Sequence, residues 1–236
     1  MEISIDIAAV RRLIRTEYAQ ARADIAARGP VAALAASQLR HDARLASAAD
    51  AGTLACKDGC AWCCHFTVDV RAAEVFRILD FVAAHFTHDQ RERLRQEVFV
   101  NGAEVAPLSD MERMRRTAKC PFLEAGRCTI YAVRPQTCRN YHATDAAGCR
   151  QSYEQPDNMD IDPEFAPLVY QAGGAHVEAF SKAVQDAGYD TGAYELNMAL
   201  AAALRQPESR ARFEAGEAPF DDLAGDEVPA EFMDDD

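Results

Sequence analysis

Eight cysteines, all confined to the middle of the chain, constrain this sequence more than any other feature. Four of them fall within nine residues, and the other four follow at wider intervals. Their positions are Cys56, Cys60, Cys63, Cys64, Cys120, Cys128, Cys138 and Cys149. The flanking stretches contain no cysteine, although a free thiol serves well as a small hydrophobic group in any helical core. Packing alone therefore does not explain the pattern.

Metal ligation is the interpretation that fits this clustering best. Closely spaced thiolates let one loop wrap a zinc ion or an iron–sulfur cluster. Disulfides are the weaker alternative, because the chain opens with acidic residues and lacks the basic and apolar regions of a secretory signal. We therefore expect a cytoplasmic, bacterial-type protein whose thiols are reduced or metal-bound. All eight cysteines are candidate metal ligands, and Cys149 is the least supported because it lies in a polar loop.

The spacing within the first cysteine group also constrains its geometry. Gly59 lies where the chain must curl, and it lacks the Cβ atom that would oppose a tight turn. The adjacent Cys63 and Cys64 point in different directions from an extended backbone, so one can face a first centre while its neighbour serves another role. Eight thiols suffice for two tetrahedral zinc ions, or for one four-iron cluster with four thiols left over.

Two histidines could replace a thiol as a ligand. His65 directly follows the first cysteine group, and His142 lies four residues after Cys138. Neutral imidazole binds zinc and iron, and the sequence leaves open whether either ring ligates or is an ordinary, partly exposed side chain. The spacing of the first three cysteines also matches the radical S-adenosylmethionine motif, but helices and one hairpin follow it here, rather than the strand–helix repeats of that enzyme class.

Negative charge is concentrated at the C-terminal end of the sequence. The formal net charge is −13, of which residues 207–236 contribute −9 through eleven acids and two arginines. The other 206 residues carry only −4, with arginines and acids interleaved. Nucleic-acid binding is therefore not expected, and no apolar run reaches the roughly 20 residues of a membrane helix. We expect the acidic tail to be disordered.

Helical periodicity dominates outside the cysteine region and indicates a mainly α fold. A Gly-containing turn between residues 123 and 128 predicts one small β-hairpin, and Gly173-Gly174 predicts an interruption of a late helix. The expected architecture is an irregular cysteine-rich metal-binding centre flanked by helices. Its expected parts are an N-terminal helical segment, a cysteine-cluster metal-binding domain, C-terminal helices packing on it and an acidic tail, over residues 1–52, 53–150, 151–206 and 207–236.

Two linked motifs resemble those of the YkgJ-type cysteine-cluster family, over roughly residues 53–150. The first is Cys56-Lys57-Asp58-Gly59-Cys60-Ala61-Trp62-Cys63-Cys64, followed by Val68-Asp69-Val70 and a helix with Glu74. The second comprises Cys120-Pro121-Phe122-Leu123, Gly126-Arg127-Cys128-Thr129-Ile130-Tyr131 and Arg134-Pro135-Gln136-Thr137-Cys138-Arg139. In the second motif, Arg134 and Arg139 either donate hydrogen bonds toward thiolates or an anionic ligand, or fix local turns.

The resemblance implies a metal cofactor without naming a substrate. The family is described as a zinc- or iron-chelating domain, and a related branch includes flagellin lysine methylase, which is thought to use an iron–sulfur cluster. That branch favours an iron–sulfur cluster, [4Fe–4S] first, over zinc. Three roles stay open: an iron–sulfur protein, an iron–sulfur-dependent enzyme of methyl-transfer type, and a zinc-stapled module that binds an unknown protein partner. Whether the protein is an enzyme and its oligomeric state also stay open.

Overall fold

The computed structural model describes residues 6–57, 59–220 and 223, and this part of the chain is mainly helical, as the periodicity predicts. Its α-helices are α1 Ile7–Arg28, α2 Pro30–Ser47, α3 Ala72–His85, α4 His88–Val105, α5 Asp110–Met114, α6 Gln136–Asn140, α7 Ala146–Glu154, α8 Pro167–Asp186, α9 Leu196–Arg205 and α10 Ser209–Glu214. Short 3-10 turns lie at Ala51–Thr53, Trp62–His65 and Tyr131–Val133. Within these described residues, no helix combines enough length and apolar character to cross a bilayer.

Four very short strands form two antiparallel pairs in the same part of the chain. They are β1 Asp69–Val70, β2 Leu123–Glu124, β3 Arg127–Cys128 and β4 Tyr194–Glu195. β1 pairs with β4, and β2 pairs with β3 as the expected hairpin. Its two turn residues, Ala125 and Gly126, have φ angles of 48° and 77°. Positive φ at both central positions is the backbone geometry of a type I′ turn, whose twist matches that of paired strands.

The first two helices begin and end where the local sequence dictates. The side chain of Asp6 caps α1 by accepting a 2.9 Å hydrogen bond from the amide of Ala9. Gly29 ends that helix at a φ of 78°, which costs little without a Cβ atom. Pro30 then occupies the first turn of α2, where its missing N–H leaves no bond unmade. The break therefore separates two long helices cleanly.

The hydrophobic core is formed by the flanking helices together with the hairpin. α1 packs most extensively on α8, α2 packs on α1, α3 and α8, and α9 packs on α4 and α3. Leu34, Ile78, Phe122 and Leu200 are at most 1% exposed. Each such side chain contributes about 1.5–3 kcal/mol when it is removed from water. Because Phe122 belongs to the second cysteine motif, the core directly supports the cysteine region.

A buried polar cluster lies between α1, α2 and α8. Glu17 is fully buried, and its carboxylate accepts hydrogen bonds from Arg40, Arg44 and Ser37. The Ser37 hydroxyl also lies 2.9 Å from Nε2 of His176. Hydrogen bonds from two arginines offset the cost of removing this carboxylate from water. Hydrogen bonds within the cluster thus join the side chains of three helices, and these side chains are costly to remove from water.

Gly173 and Gly174 lie inside α8, which runs without interruption from Pro167 to Asp186. The sequence predicts a break there, since glycine weakens a helix interior. The structure shows what Gly173 provides: a Cβ atom at this position would lie 1.7 Å from Oδ1 of Asn140. The missing Cβ atom therefore leaves room for the Asn140 side chain, and tertiary packing maintains the helix through both glycines.

The first part of the acidic tail is folded. The sequence predicts disorder after Pro207, whereas α10 lies in this stretch, and Phe213 and Phe220 are at most 2% exposed. Arg210 pairs with Asp80 of α3 through both guanidinium nitrogens. Phe213 and Phe220 are thus core residues. Residues 221–222 and 224–236 lie outside the described part of the chain.

Candidate metal centre

The first cysteine segment curls into one wall of a cavity. Gly59 adopts a φ of 84°, and the amide of Cys60 donates a 3.0 Å hydrogen bond to the carbonyl of Lys57. The 3-10 turn Trp62–His65 follows at once and carries the two adjacent cysteines. The glycine therefore provides the turn that the spacing predicts, while Asp58 lies outside the described residues.

The other four cysteines come from separate pieces of the chain. Cys120 precedes β2, Cys128 ends β3, Cys138 lies in α6 and Cys149 lies in α7. The stretch that contains α7 is polar, and the sequence predicts turns there rather than a helix. The carboxylate of Asp145 caps the helix by accepting a backbone N–H bond of 2.8 Å. Cys149 is thereby held on a helix and is only 6% exposed.

Backbone hydrogen bonds join the two halves of the cysteine region. The amide of Cys120 donates to the carbonyl of Cys64 at 2.8 Å. On the other side, the amide of Ala55 donates to the carbonyl of Ala143 at 2.9 Å, and the Cys56 thiol lies 3.8 Å from the same oxygen. Residues far apart in sequence are therefore fixed around a common space by the main chain.

That space is a cavity of about 490 Å³ into which most of the thiols face. The cysteines that line it are Cys56, Cys60, Cys63, Cys64, Cys120, Cys128 and Cys138. Cys149 stands beside them, buried on α7, which packs on the 3-10 turn of the first cysteine segment. Such a concentration of sulfur donors suits zinc and iron–sulfur clusters rather than hard cations such as Mg²⁺ or Ca²⁺.

Cys120, Cys128 and Cys138 form one set, because the charge of the same residue, Cys63, affects the pKa of each. We call these three cysteines the hairpin group. Burial is the main reason that the pKa of each thiol is raised, to about 12 for Cys120. The charge of Cys63 adds to the rise in all three, and the charges of Cys120 and Cys128 raise the pKa of Cys138. Cys63 and the hairpin group therefore lie near one another at one end of the cavity.

Cys56, Cys60 and Cys149 form a second set, which we call the loop group. Burial again is the largest cause of the raised pKa of Cys56, and of the pKa of about 11 for Cys149. The charges of Cys60 and Cys63 raise both values further. Cys63 is thus the cysteine whose charge affects thiols of both groups, and whether its neighbour Cys64 serves another centre stays a prediction.

The raised pKa values describe thiols that hold their protons until a cation displaces them. For Cys63 the largest cause is a hydrogen bond with Cys64, followed by burial. Metal coordination reverses this preference, because a metal ion deprotonates a ligating thiol outright. Binding of metal at the cavity must therefore release protons.

The donor set fits a soft metal by its chemistry, whereas the side chains do not form a ready coordination shell. Among the described residues, no three Cys, His, Asp or Glu side chains are placed closely enough to hold one metal ion as they stand. The seven cavity cysteines are nevertheless sulfur donors that face one space. The residues that would hold a metal are therefore present.

The two candidate histidines have different surroundings. His142 lines the cavity, and both of its ring nitrogens are buried without a hydrogen-bond partner in the described part of the chain. The ring of His65 instead packs on Tyr153 of α7, with 4.7 Å between ring centroids. Trp62 packs on the same tyrosine ring at 5.5 Å. The structure thus brings His142 to the cavity, while His65 and Trp62 anchor α7.

Glu74 connects the two cysteine motifs although it faces no thiol directly. One carboxylate oxygen accepts a 2.8 Å bond from the amide of Arg71 at the start of α3, and the other accepts a 2.6 Å bond from the amide of Gln136 at the start of α6. Burial raises the pKa of Glu74, and these two donors oppose the rise. The helix that carries Cys138 is therefore anchored by a residue of the first motif.

The two arginines of the second motif serve different purposes. Arg139 is 1% exposed and donates to both carboxylate oxygens of Asp42 on α2 and to the carbonyl of Ala132. Arg134 lines the cavity, and its guanidinium lies 4.0 Å above the ring of Tyr131, donates a 3.0 Å hydrogen bond to the Tyr131 carbonyl and pairs with Asp42 at 3.7 Å. Both arginines thus fix local structure, and Arg134 also contributes to the wall of the space shared with the thiols. Sequence reasoning missed Asp42, since nothing local marks it as a partner.

Comparison with family models identifies the cysteine region. Residues 55–163 match the model of the CxxCxxCC family, described as a "putative zinc- or iron-chelating domain". This stretch of the chain is similar to the CxxCxxCC family. The match contains all eight cysteines. It extends past the expected boundary at residue 150, through α7 to Pro163. No curated protein and no solved structure matches the chain, so the similarity to flagellin lysine methylase stays a prediction.

Proposed function

We propose that the CxxCxxCC domain binds an iron–sulfur cluster, with [4Fe–4S] as the first choice, and acts as a redox protein. The observation that carries the proposal is the arrangement of seven thiols around one cavity of about 490 Å³. A zinc ion touches its four sulfur ligands at about 2.3 Å and needs no enclosed space between them. A cluster of four iron and four sulfide atoms is a larger body. Space lined by many thiols therefore favours the cluster over zinc.

The proposed ligands of this cluster are Cys63 and the hairpin group. Their mutual electrostatic influence supports this set. The four thiols come from the 3-10 turn, the hairpin and α6, so a cluster would join the two cysteine motifs. The loop group and Cys64 supply four further thiols, enough for a second metal site.

The chain's own residues would protect such a cluster from water. Phe122 and Ile130 line the cavity and are 1% exposed. When bound, a cluster of this kind supplies one-electron transfer at a potential set by burial, charge and hydrogen bonds to sulfur. Arg134 offsets the negative charge of the thiolates from the cavity wall. A reducing compartment such as the cytoplasm belongs to the proposal, because the thiols must stay reduced.

Elemental analysis with a visible spectrum tests this function. The protein is purified without oxygen and without chelators, and iron, zinc and acid-labile sulfide are measured per chain. We expect iron and sulfide in equal amounts and a brown colour that bleaches on reduction. Colourless protein with one or two zinc ions would replace the proposal with a zinc-stapled module, in which chelation unfolds the domain. Metal-free protein with four disulfides would contradict both.

A further inference from the structure

We propose that the cavity binds an organic anion with a flat apolar body, beside the metal site. The inference rests on the proposed function only because the organic ligand and the metal would occupy the same cavity. The cavity volume of about 490 Å³ lies within the 300–1,000 Å³ that is usual for small-molecule sites, and the metal site would take up only the part that the thiols line. The thiols occupy one part of its wall. Residues of the segment 155–165, which contains no cysteine, form another part of the lining.

This cysteine-free part of the lining contains several apolar side chains beside a few polar ones. Ile161 and Phe165 lie on the wall, and Tyr141 faces the space from the end of α6. Met114 and Met159, which also line the cavity, are 52% and 47% exposed. Methionines adapt their shape to a partner and make favourable contacts with aromatic rings. A surface of this composition suits a flat hydrocarbon or aromatic group.

Two buried polar side chains at the cavity have unmet hydrogen-bonding capacity. Both ring nitrogens of His142 and the hydroxyl of Ser152 are buried without partners within the described residues. Buried polar groups of this kind are nearly always paired in folded proteins. A ligand that carries oxygen atoms would satisfy them.

The charges around the cavity favour a negative group on that ligand. Apart from the thiols, which the metal site takes up, the described residues of the lining include three cationic side chains, namely Lys57, Arg127 and Arg134, and one carboxylate, Asp162. The guanidinium of Arg134 is held in place by the Tyr131 ring and carbonyl and by Asp42 at 3.7 Å, so an anion that it binds costs it little further freedom. A carboxylate or sulfonate attached to an aromatic ring combines all of these features.

Equilibrium dialysis against 8-anilinonaphthalene-1-sulfonate tests the site on the metal-loaded protein. We expect one saturable site per chain. Replacement of Met114 or Met159 by aspartate should weaken binding at least tenfold, because each change places a negative charge at the mouth. The matched control is Met111→Asp: Met111 lies on the same short helix as Met114 and is 51% exposed, and this change should leave affinity within twofold.

The uncharged dye N-phenyl-1-naphthylamine tests the anionic part of the inference and should bind at least tenfold more weakly than the sulfonate. Unsaturable binding, equal affinity of the three variants, or equal affinity of the two dyes would overturn the proposal. Iron and sulfide are measured on every sample. Failure of the organic site with full metal content is therefore distinguished from failure of the metal site itself.

Discussion

The amide of Cys120 donates a 2.8 Å hydrogen bond to the carbonyl of Cys64, and this bond joins the two cysteine motifs through the main chain. The adjacent bond from the amide of Ala118 to the carbonyl of His65 has the same length. Because backbone groups fix this junction, metal binding has only to orient side chains around a cavity that already exists. Single substitutions of cysteine can therefore test which of the two groups of thiols holds the metal.

Replacement of one thiol from each group should affect the metal centre differently. Cys128→Ser removes a proposed ligand from the hairpin group, and we expect at least a fivefold loss of iron and of visible absorption. Cys149→Ser, the matched change in the loop group, should retain most of that absorption because its thiol belongs to the other set. Elemental analysis and absorption on oxygen-free samples provide the measurement. Equal loss, or no loss, in the two variants would show that the ligand assignment is wrong.

Glu74→Gln should destabilise the fold by about 1–3 kcal/mol, the usual cost of leaving a buried donor unpaired. Both oxygens of Glu74 accept backbone N–H bonds, and glutamine places an NH₂ donor against one of them. Glu112 occupies the same N3 position in a capping box of α5 but is exposed. Glu112→Gln is therefore the control, expected to stay within about 0.5 kcal/mol. Denaturant unfolding measures both, and equal effects would count against the anchoring role of Glu74.

Gly173→Ala and Gly174→Ala should have opposite effects on stability. The first change forces a methyl group against Asn140 and should cost about 1–3 kcal/mol. At Gly174 nothing lies within 4 Å of the added atom, so alanine should stabilise α8 by up to about 1 kcal/mol. Asn140→Ala in the Gly173→Ala background should recover much of the loss. Thermal and denaturant unfolding provide the comparison, and equal stability of the two single variants would contradict the packing.

Acid should destabilise the protein through His41 and His176. Burial, with nearby charges as the next cause, lowers the pKa of each to about 3, and their rings stack at 4.6 Å. The unfolded chain binds protons near the ordinary value of 6.5, so stability is complete above that pH and falls as the pH decreases from 6.5 toward 3. Each histidine contributes about 1.4 kcal/mol per pH unit in that window.

His41→Phe isolates one of these two contributions. Neither ring nitrogen of His41 has a partner among the described residues, so phenylalanine removes the titration without breaking a hydrogen bond. The free energy of unfolding, measured from pH 7.5 to pH 5, should depend less steeply on pH by about 1.4 kcal/mol per unit below pH 6.5 and be unchanged in slope above it. An unchanged slope would mean that His41 is protonated in the folded state.

Local signals made several elements predictable from sequence alone. Asp6, Thr87 and Ser109 each cap the helix that follows, and in each case the side chain accepts a backbone N–H bond. The hairpin could be predicted because its turn carries Gly126. The clustering of cysteines likewise indicated seven residues that line the cavity. It was informative because packing alone does not demand that cysteines cluster in the sequence.

Features that depend on tertiary contact could not be predicted in the same way. Gly173 predicts a helix break until the position of Asn140 is known. The tail aromatics Phe213 and Phe220 are surrounded by acids in the sequence, yet their burial is determined by α3 and β4. Helix α7 has a polar sequence, and its packing on Trp62 and His65 is visible only in the fold.

Native mass spectrometry of protein purified without oxygen or chelators tests the central claim most directly, because the mass added to the chain identifies what the thiols hold. We predict an increment of four iron and four sulfide atoms per cluster, lost in Cys128→Ser and kept in Cys149→Ser. An increment of zinc alone, or a metal-free chain lighter by the hydrogens of four disulfides, would contradict the account.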